Sequence, residues 1–125
     1  MRLLLDTNAL LWWLDDPSLV APPARSAIAD SSIPVAVSAV TAFEIHTKAS
    51  LGKLAFDGDL ESEMAEEGFD PLPMTFPHAV AAGSLPLIHR DPFDRLLVGQ
   101  AQVERMTLVT RDRMLPRYGV PVLRA

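Results

Sequence analysis

Five short apolar runs constrain this chain more than any other feature of it. They fall at Arg2–Leu5, Val35–Val37, Leu72–Met74, Thr107–Val109 and Pro121–Leu123. None alternates polar with apolar residues as a strand with one wet face does. Continuous apolar character marks strands covered on both sides, as in parallel sheets. Segments with helical spacing fill the gaps: Ala9–Leu14, Ala24–Ala29, Ala39–Leu51, Leu60–Glu67, His78–Ala82 and Pro92–Arg105, with a last turn near Met114. Strands alternating with helices predict an α/β fold, a short parallel β-sheet of about five strands flanked by helices on both faces. The eleven prolines mostly punctuate boundaries. Gly52 follows a helix as a C′ residue does, and Asp91-Pro92 reads as an N-cap with proline at the first helical position.

The chain has 125 residues, 49% of them hydrophobic, enough to build one core, and a single domain over residues 1–125 is expected. There is no cysteine, which excludes disulfides, thiolate metal sites and cysteine nucleophiles. The apolar opening, residues 3–14, is too short to span a bilayer and contains Asp6. No membrane role is expected, and the combination reads as an intracellular, cytoplasmic protein. A net charge of −5 argues at first against a nucleic-acid partner. Its distribution changes that argument. Seven acids and no Lys or Arg fall in Asp57–Asp70, DGDLESEMAEEGFD, so the remaining chain is net +2. That acidic segment reads as a solvated amphipathic helix with Leu60 and Met64 inward. Nine of the eleven basic residues are arginine, whose planar fork suits phosphate, and Arg90, Arg95, Arg105, Arg111 and Arg113 cluster late in the chain.

The opening LLLDTNALLWWL breaks its apolar run with Asp6-Thr7-Asn8. Asp6 fits an N-cap, and it also sits at the carboxyl end of a strand, where open α/β sheets bind ligands. A second acid, Glu44 in SAVTAFEIHTKASLGKL (residues 38–54), fits a capping box with Thr41 and an i,i+4 pair with Lys48. Val37, Val40 and Phe43 flank the same turn and place Glu44 near apolar packing, where carboxylates seldom sit unpaired. In HRDPFDRLLVGQA (residues 89–101), Asp91 caps the helix and Asp94 begins the face that continues through Leu97 and Ala101. In LVTRDR (residues 108–113), Asp112 follows a strand with Thr110 beside it, and a turn role explains it as well. A parallel doubly wound sheet gathers these four acids along one edge. Helix dipoles contribute only about 0.3–1 kcal/mol each, too little to keep four converging carboxylates ionised. A divalent cation resolves the conflict, and oxygen ligands suit Mg²⁺ or Mn²⁺. His46, His78 and His89 lack zinc spacing and read as surface or packing residues. Trp12 and Trp13 point about 100° apart on a helix, so one of them is expected at an edge.

At these blocks the sequence resembles the PIN-domain family, and within it the VapC-type ribonuclease toxins of toxin–antitoxin pairs. LLLDTNALLWWL, SAVTAFEIHTKASLGKL, HRDPFDRLLVGQA, and LVTRDRML with YGVPVL follow the family's order and spacing over nearly the whole chain. The resemblance implies metal binding and catalysis by Asp6, Glu44, Asp94 and Asp112, with Thr110 and Asp91 as auxiliaries. The family often carries histidine where this chain has Asn8, a change that leaves the four acids in place. It further implies a Mg²⁺- or Mn²⁺-dependent endoribonuclease acting on RNA, a homodimer, and a small antitoxin protein as partner. Arg90, Arg95, Arg111 and Arg113 are the candidates for contacts to the RNA backbone.

Two other readings stand beside this one. A receiver-like signalling domain has similar length and an acidic metal pocket, but it needs paired acids after the first strand and a late lysine, and the only lysines here are Lys48 and Lys53. A non-catalytic protein-binding α/β domain leaves the four acids without a common purpose.

Overall fold

A computed structural model describes all residues, 1–125. The elements in chain order are β1 (Leu3–Leu5), α1 (Thr7–Asp15), a 3₁₀ turn at Pro17–Leu19, α2 (Pro22–Ala29), β2 (Val35–Ser38), α3 (Ala39–Ser50), α4 (Leu60–Glu67), β3 (Asp70–Leu72), α5 (Phe76–Gly83), α6 (Pro92–Glu104), β4 (Thr107–Thr110), a 3₁₀ turn at Leu115–Tyr118 and β5 (Val122–Arg124). All five strands pair in parallel in the order β3-β2-β1-β4-β5. The expected α/β architecture is therefore present. A receiver's order, 2-1-3-4-5, is a different winding. No helix is long and apolar enough to cross a membrane.

The three residues of β1 show why the sheet is covered twice. Successive side chains on a strand point to opposite faces. Leu3 and Leu5 join a core layer with Ala9, Leu10 and Trp13 of α1, Ala24 and Ile28 of α2, and Leu60 and Met64 of α4. Leu4 joins the other layer, with Leu97, Val98 and Ala101 of α6 and Leu85. Helix α3 serves both, giving Ile45 to the first layer and Val40 to the second. Leu60 and Met64 do face inward from the acidic helix, as their spacing predicts.

Several boundaries shift, each for a local reason. Strand β3 lies at Asp70–Leu72, earlier than expected, because Ala36 to Ser38 of β2 take Asp70 to Leu72 as partners. Pro71 and Pro73 have no N–H to give a ladder, which suits this edge position and ends the pairing. Helix α5 starts two residues early, at Phe76, because Thr75 and His78 close a capping box: Thr75 Oγ1 accepts from His78 N at 3.4 Å, and His78 Nδ1 accepts from Thr75 N at 3.0 Å. The capping box expected at Thr41 and Glu44 does not form. Ser38 caps α3 instead, accepting from Val40 N at 3.0 Å, which frees Thr41 and Glu44 to face inward. Phe43 turns outward, 63% exposed, against Phe93 at 5.9 Å. Trp13 is buried and donates to Glu67 at 3.0 Å, while Trp12 is half-buried beneath the Arg111 guanidinium, 3.9 Å from its ring centre. One tryptophan thus lies at an edge, as the helical geometry requires.

Helices α5 and α6 meet almost backbone to backbone at Gly99. A Cβ built there would lie 2.7 Å from Ala82 N and 2.8 Å from Ala82 Cβ. Gly99→Ala gains about 1 kcal/mol of helix propensity. Forcing two backbones apart costs about 1–3 kcal/mol. The variant is expected to unfold at lower urea concentration than wild type; equal or greater stability would show that the helices are not this close.

Candidate metal centre

In the order β3-β2-β1-β4-β5 the chain winds outward from β1 in one direction and then crosses to β4. The carboxyl ends of β1 and β4 therefore flank the switch point, the crevice where such sheets bind ligands. Asp6 follows β1 directly, and Asp112 lies two residues beyond β4. Because α6 runs back against the strands, its N-terminus, carrying Asp91 and Asp94, returns to the same edge.

Asp6 is buried and caps α1, its Oδ1 accepting from Ala9 N at 2.8 Å. The cap reading of this residue therefore holds. Burial pushes its pKa up, hydrogen bonds from Thr110 and Ala9 N oppose this, and the charges of Glu44 and Asp112 add to the rise. Asp94 is pushed up to about 7, first by burial and then by Asp91, with the His89 ring opposing and Asp6 and Asp112 adding. These couplings place Asp6, Asp94 and Asp112 within electrostatic reach of one another. Glu44 is also buried, one turn along α3, and its Oε1 accepts from the Thr7 hydroxyl at 2.6 Å. Its Oε2 takes the Lys48 ammonium, so the predicted i,i+4 pair forms. Asp91 and Asp94 both act on that ammonium and, with Glu44, hold the Lys48 pKa up.

The densest grouping includes a residue that spacing did not single out. Ligand-capable atoms of His89, Asp94 and Asp112 all lie within 4.8 Å of one another. His89 Nε2 is 2.8 Å from Asp112 Oδ2 and 3.4 Å from Asp94 Oδ2. The reading of His89 as a surface or packing residue is therefore corrected; it stands two residues before the Asp91 cap of α6, whose N–H donates to its Nδ1 at 3.0 Å. The other two histidines fit that reading. His78 is buried against Glu104 and Gln100, and His46 is exposed with its ring on the Ala42 carbonyl.

The remaining candidates divide. Thr110 bonds Asp6 and also accepts from Asp112 N at 3.1 Å, tying two of the acids together. Asp91 spends its Oδ1 on the N–H groups of Phe93 and Asp94 and is foremost a cap. Asn8 is exposed. Arg95 donates to the carbonyls of Pro86, Ala82 and Leu85, and Arg111 donates to those of Leu19 and Ala125 while covering Trp12. Their guanidinium donors are engaged within the fold, whereas Arg90 and Arg113 are exposed beside the acids.

The donor set fits a hard divalent cation. Carboxylate oxygens converge at a strand switch point, and without such a charge Asp94 stays protonated until near neutral pH.

Comparison with solved structures finds the same fold in several complexes, two of them bound to DNA. VapBC2 from Rickettsia felis, bound to a DNA fragment from its promoter, is similar at TM-score 0.71 and 15% identity, with 99% of this chain and 98% of that one covered. DNA-bound VapBC from Salmonella typhimurium is similar at TM-score 0.68 and 20% identity, with 99% and 98% covered. FitAcB from Neisseria gonorrhoeae is similar at TM-score 0.63 and 23% identity, with 97% and 96% covered. Sequence comparison with curated proteins yields no match. The sequence profile of the PIN domain matches residues 3–121, and the chain belongs to the PIN domain family.

Proposed function

We propose that this protein is a metal-dependent endoribonuclease that hydrolyses RNA phosphodiester bonds and serves as the toxin of a toxin–antitoxin pair. One observation carries the reading: Asp94 of α6 and Asp112 after β4 converge with His89 at the switch point, and buried Asp6 at the end of β1 lies near enough to add to the rise of the Asp94 pKa, which burial dominates. Asp6, Asp94 and Asp112 are the residues that would hold Mg²⁺ or Mn²⁺. Such an ion supplies charge neutralisation at the scissile phosphate and lowers the pKa of water.

The chain's own groups account for the rest. To Glu44, held by the Thr7 hydroxyl and Lys48, this reading assigns the task of orienting the attacking water and taking its proton. Attack forms the new P–O bond as the bond to the leaving ribose oxygen breaks, and that oxygen takes up a proton. Thr110 keeps Asp6 and Asp112 in register. Arg90 and Arg113 are exposed for phosphates on either side of the acids; Arg95 and Arg111 act through the backbone they brace.

The surface and the similar complexes support the partner reading. A groove of about 930 Å³ between α3 and α4, lined by Ala42, Leu60, Met64, Phe69 and Leu72, suits an apolar segment of a small antitoxin. Exposed Phe76 and Val80, one turn apart on α5, with Val103 of α6, support a homodimer. Among the similar solved structures, one is a toxin–antitoxin complex from Klebsiella pneumoniae.

Protein freed of any partner is expected to cut single-stranded or loop RNA in the presence of Mg²⁺ or Mn²⁺ and to stop when EDTA is added; cutting that survives EDTA excludes the metal reading. Expression alone is expected to slow bacterial growth, with relief by a small co-expressed partner, and normal growth at high levels of folded protein excludes the toxin role.

A third expectation concerns Asp94 and pH. Its carboxyl is near 3.8 when unfolded and about 7 when folded without metal, so between those values the folded state binds the extra proton. The group's stabilising contribution is therefore present at low pH and is lost as pH rises through about 7. Asp94→Asn removes the charge and keeps the size. Its advantage in melting temperature over wild type, both in EDTA, is expected to be larger at about pH 8 than at about pH 5. Mn²⁺ is expected to raise the wild-type melting temperature and to raise the variant's much less. An advantage that does not grow with pH, or an equal Mn²⁺ response, removes Asp94 from the site.

A further inference from the structure

His89 stands between Asp94 and Asp112, where its ring has three available roles: cation ligand, positive counter-charge, or hydrogen-bond donor. Its other nitrogen decides among them. The backbone N–H of Asp91 points at His89 Nδ1 at 3.0 Å. A backbone N–H only donates, so Nδ1 must present its lone pair, and the ring proton belongs on Nε2. From there it donates to Asp112 Oδ2 at 2.8 Å, with Asp94 Oδ2 at 3.4 Å. Ligation through Nε2 would require moving the proton to Nδ1, against the Asp91 N–H.

We propose that His89 is a positioning residue, whose Nε2–H holds Asp112, beside Asp94, for the cation without ligating it. The clamp is built at both ends. His89 N donates to the Tyr118 hydroxyl at 2.7 Å, which anchors the residue's backbone against the turn after β4. Asp112 Oδ1 accepts from Met114 N at 2.8 Å, so with His89 on Oδ2 the carboxylate plane is fixed from both sides. Each carboxylate oxygen keeps a second lone pair, which leaves Oδ2 able to meet a cation while it accepts the imidazole proton. Asp91 links the parts: its N–H sets the tautomer of His89, and its carboxylate caps the helix that carries Asp94. The start of α6 and the end of β4 are thereby held in register by one imidazole. A histidine that donates to a ligating carboxylate is a support of the kind that typically changes metal affinity ten- to a hundredfold.

The inference rests on the metal-nuclease reading, and the test separates the two. On the full ¹⁵N-labelled chain, a histidine side-chain ¹H–¹⁵N correlation spectrum, assigned by the signal lost in His89→Gln, is expected to show protonated Nε2 and unprotonated Nδ1. Adding Mg²⁺ is expected to leave that pattern in place. By calorimetry with MnCl₂, His89→Ala is expected to bind about ten- to a hundredfold more weakly than wild type. His89→Gln, which carries an amide N–H where Nε2–H stood, is expected to recover most of the loss. Circular dichroism confirms that both variants fold, and if His89→Ala does not, the spectrum and His89→Gln decide. Loss of the Nε2 proton on adding Mg²⁺ makes His89 a ligand and overturns the proposal. Tighter Mn²⁺ binding by His89→Ala makes it a counter-charge, with the same result. Wild type that binds neither cation removes the metal reading and the proposal with it, whereas wild-type binding that His89→Ala leaves unchanged removes the proposal alone.

Discussion

The pairing of β1 with β4 is the contact on which the chemistry depends. It aligns Leu3, Leu4 and Leu5 with Thr107, Leu108 and Val109, and Asp6 N then donates to the Val109 carbonyl at 3.0 Å. Asp6 and Asp112 become neighbours because two backbones share a ladder, not because the acids attract. Like charges so placed cost free energy that the apolar layers on either side must offset. The raised pKa values of Asp6 and Asp94 come first from burial, with the neighbouring acids adding to it. A sheet entirely in parallel makes this arrangement stable to small changes, since β1 has a strand on each side and a packed layer on each face.

Much of this was legible in the chain. Apolar runs without alternation announced buried parallel strands, and acids placed after strands or at helix starts announced a shared edge. The Asp91-Pro92 cap was readable because proline at the first helical position has few other uses. The errors came where two residues had equal claim to one job. Ser38 and Thr41 can both begin a helix, and only the strand leading into Ser38 decides for the earlier one. With that decided, Glu44 moves from the helix start to an interior turn, where Thr7 and Lys48 meet it.

His89 and the arginines were illegible for a different reason. The role of His89 follows from the direction of one backbone N–H, which no side-chain pattern encodes. Arg95 and Arg111 read as candidates for phosphate contacts because the guanidinium fork suits phosphate. In the fold they close helix and chain ends by donating to carbonyls, a use that composition cannot separate from surface charge. What separates them from Arg90 and Arg113 is geometry across ten or more residues, beyond the reach of a local reading.

The close approach of Gly99 to Ala82 has a mechanical side. Most helix pairs are cushioned by interlocking side chains that can change rotamer under load. Here α5 and α6 touch with no such layer at their crossing, so the pair is stiff where it meets. The spacing of the two helices is thus set by their backbones, and no change of rotamer at Gly99 or Ala82 can relax it.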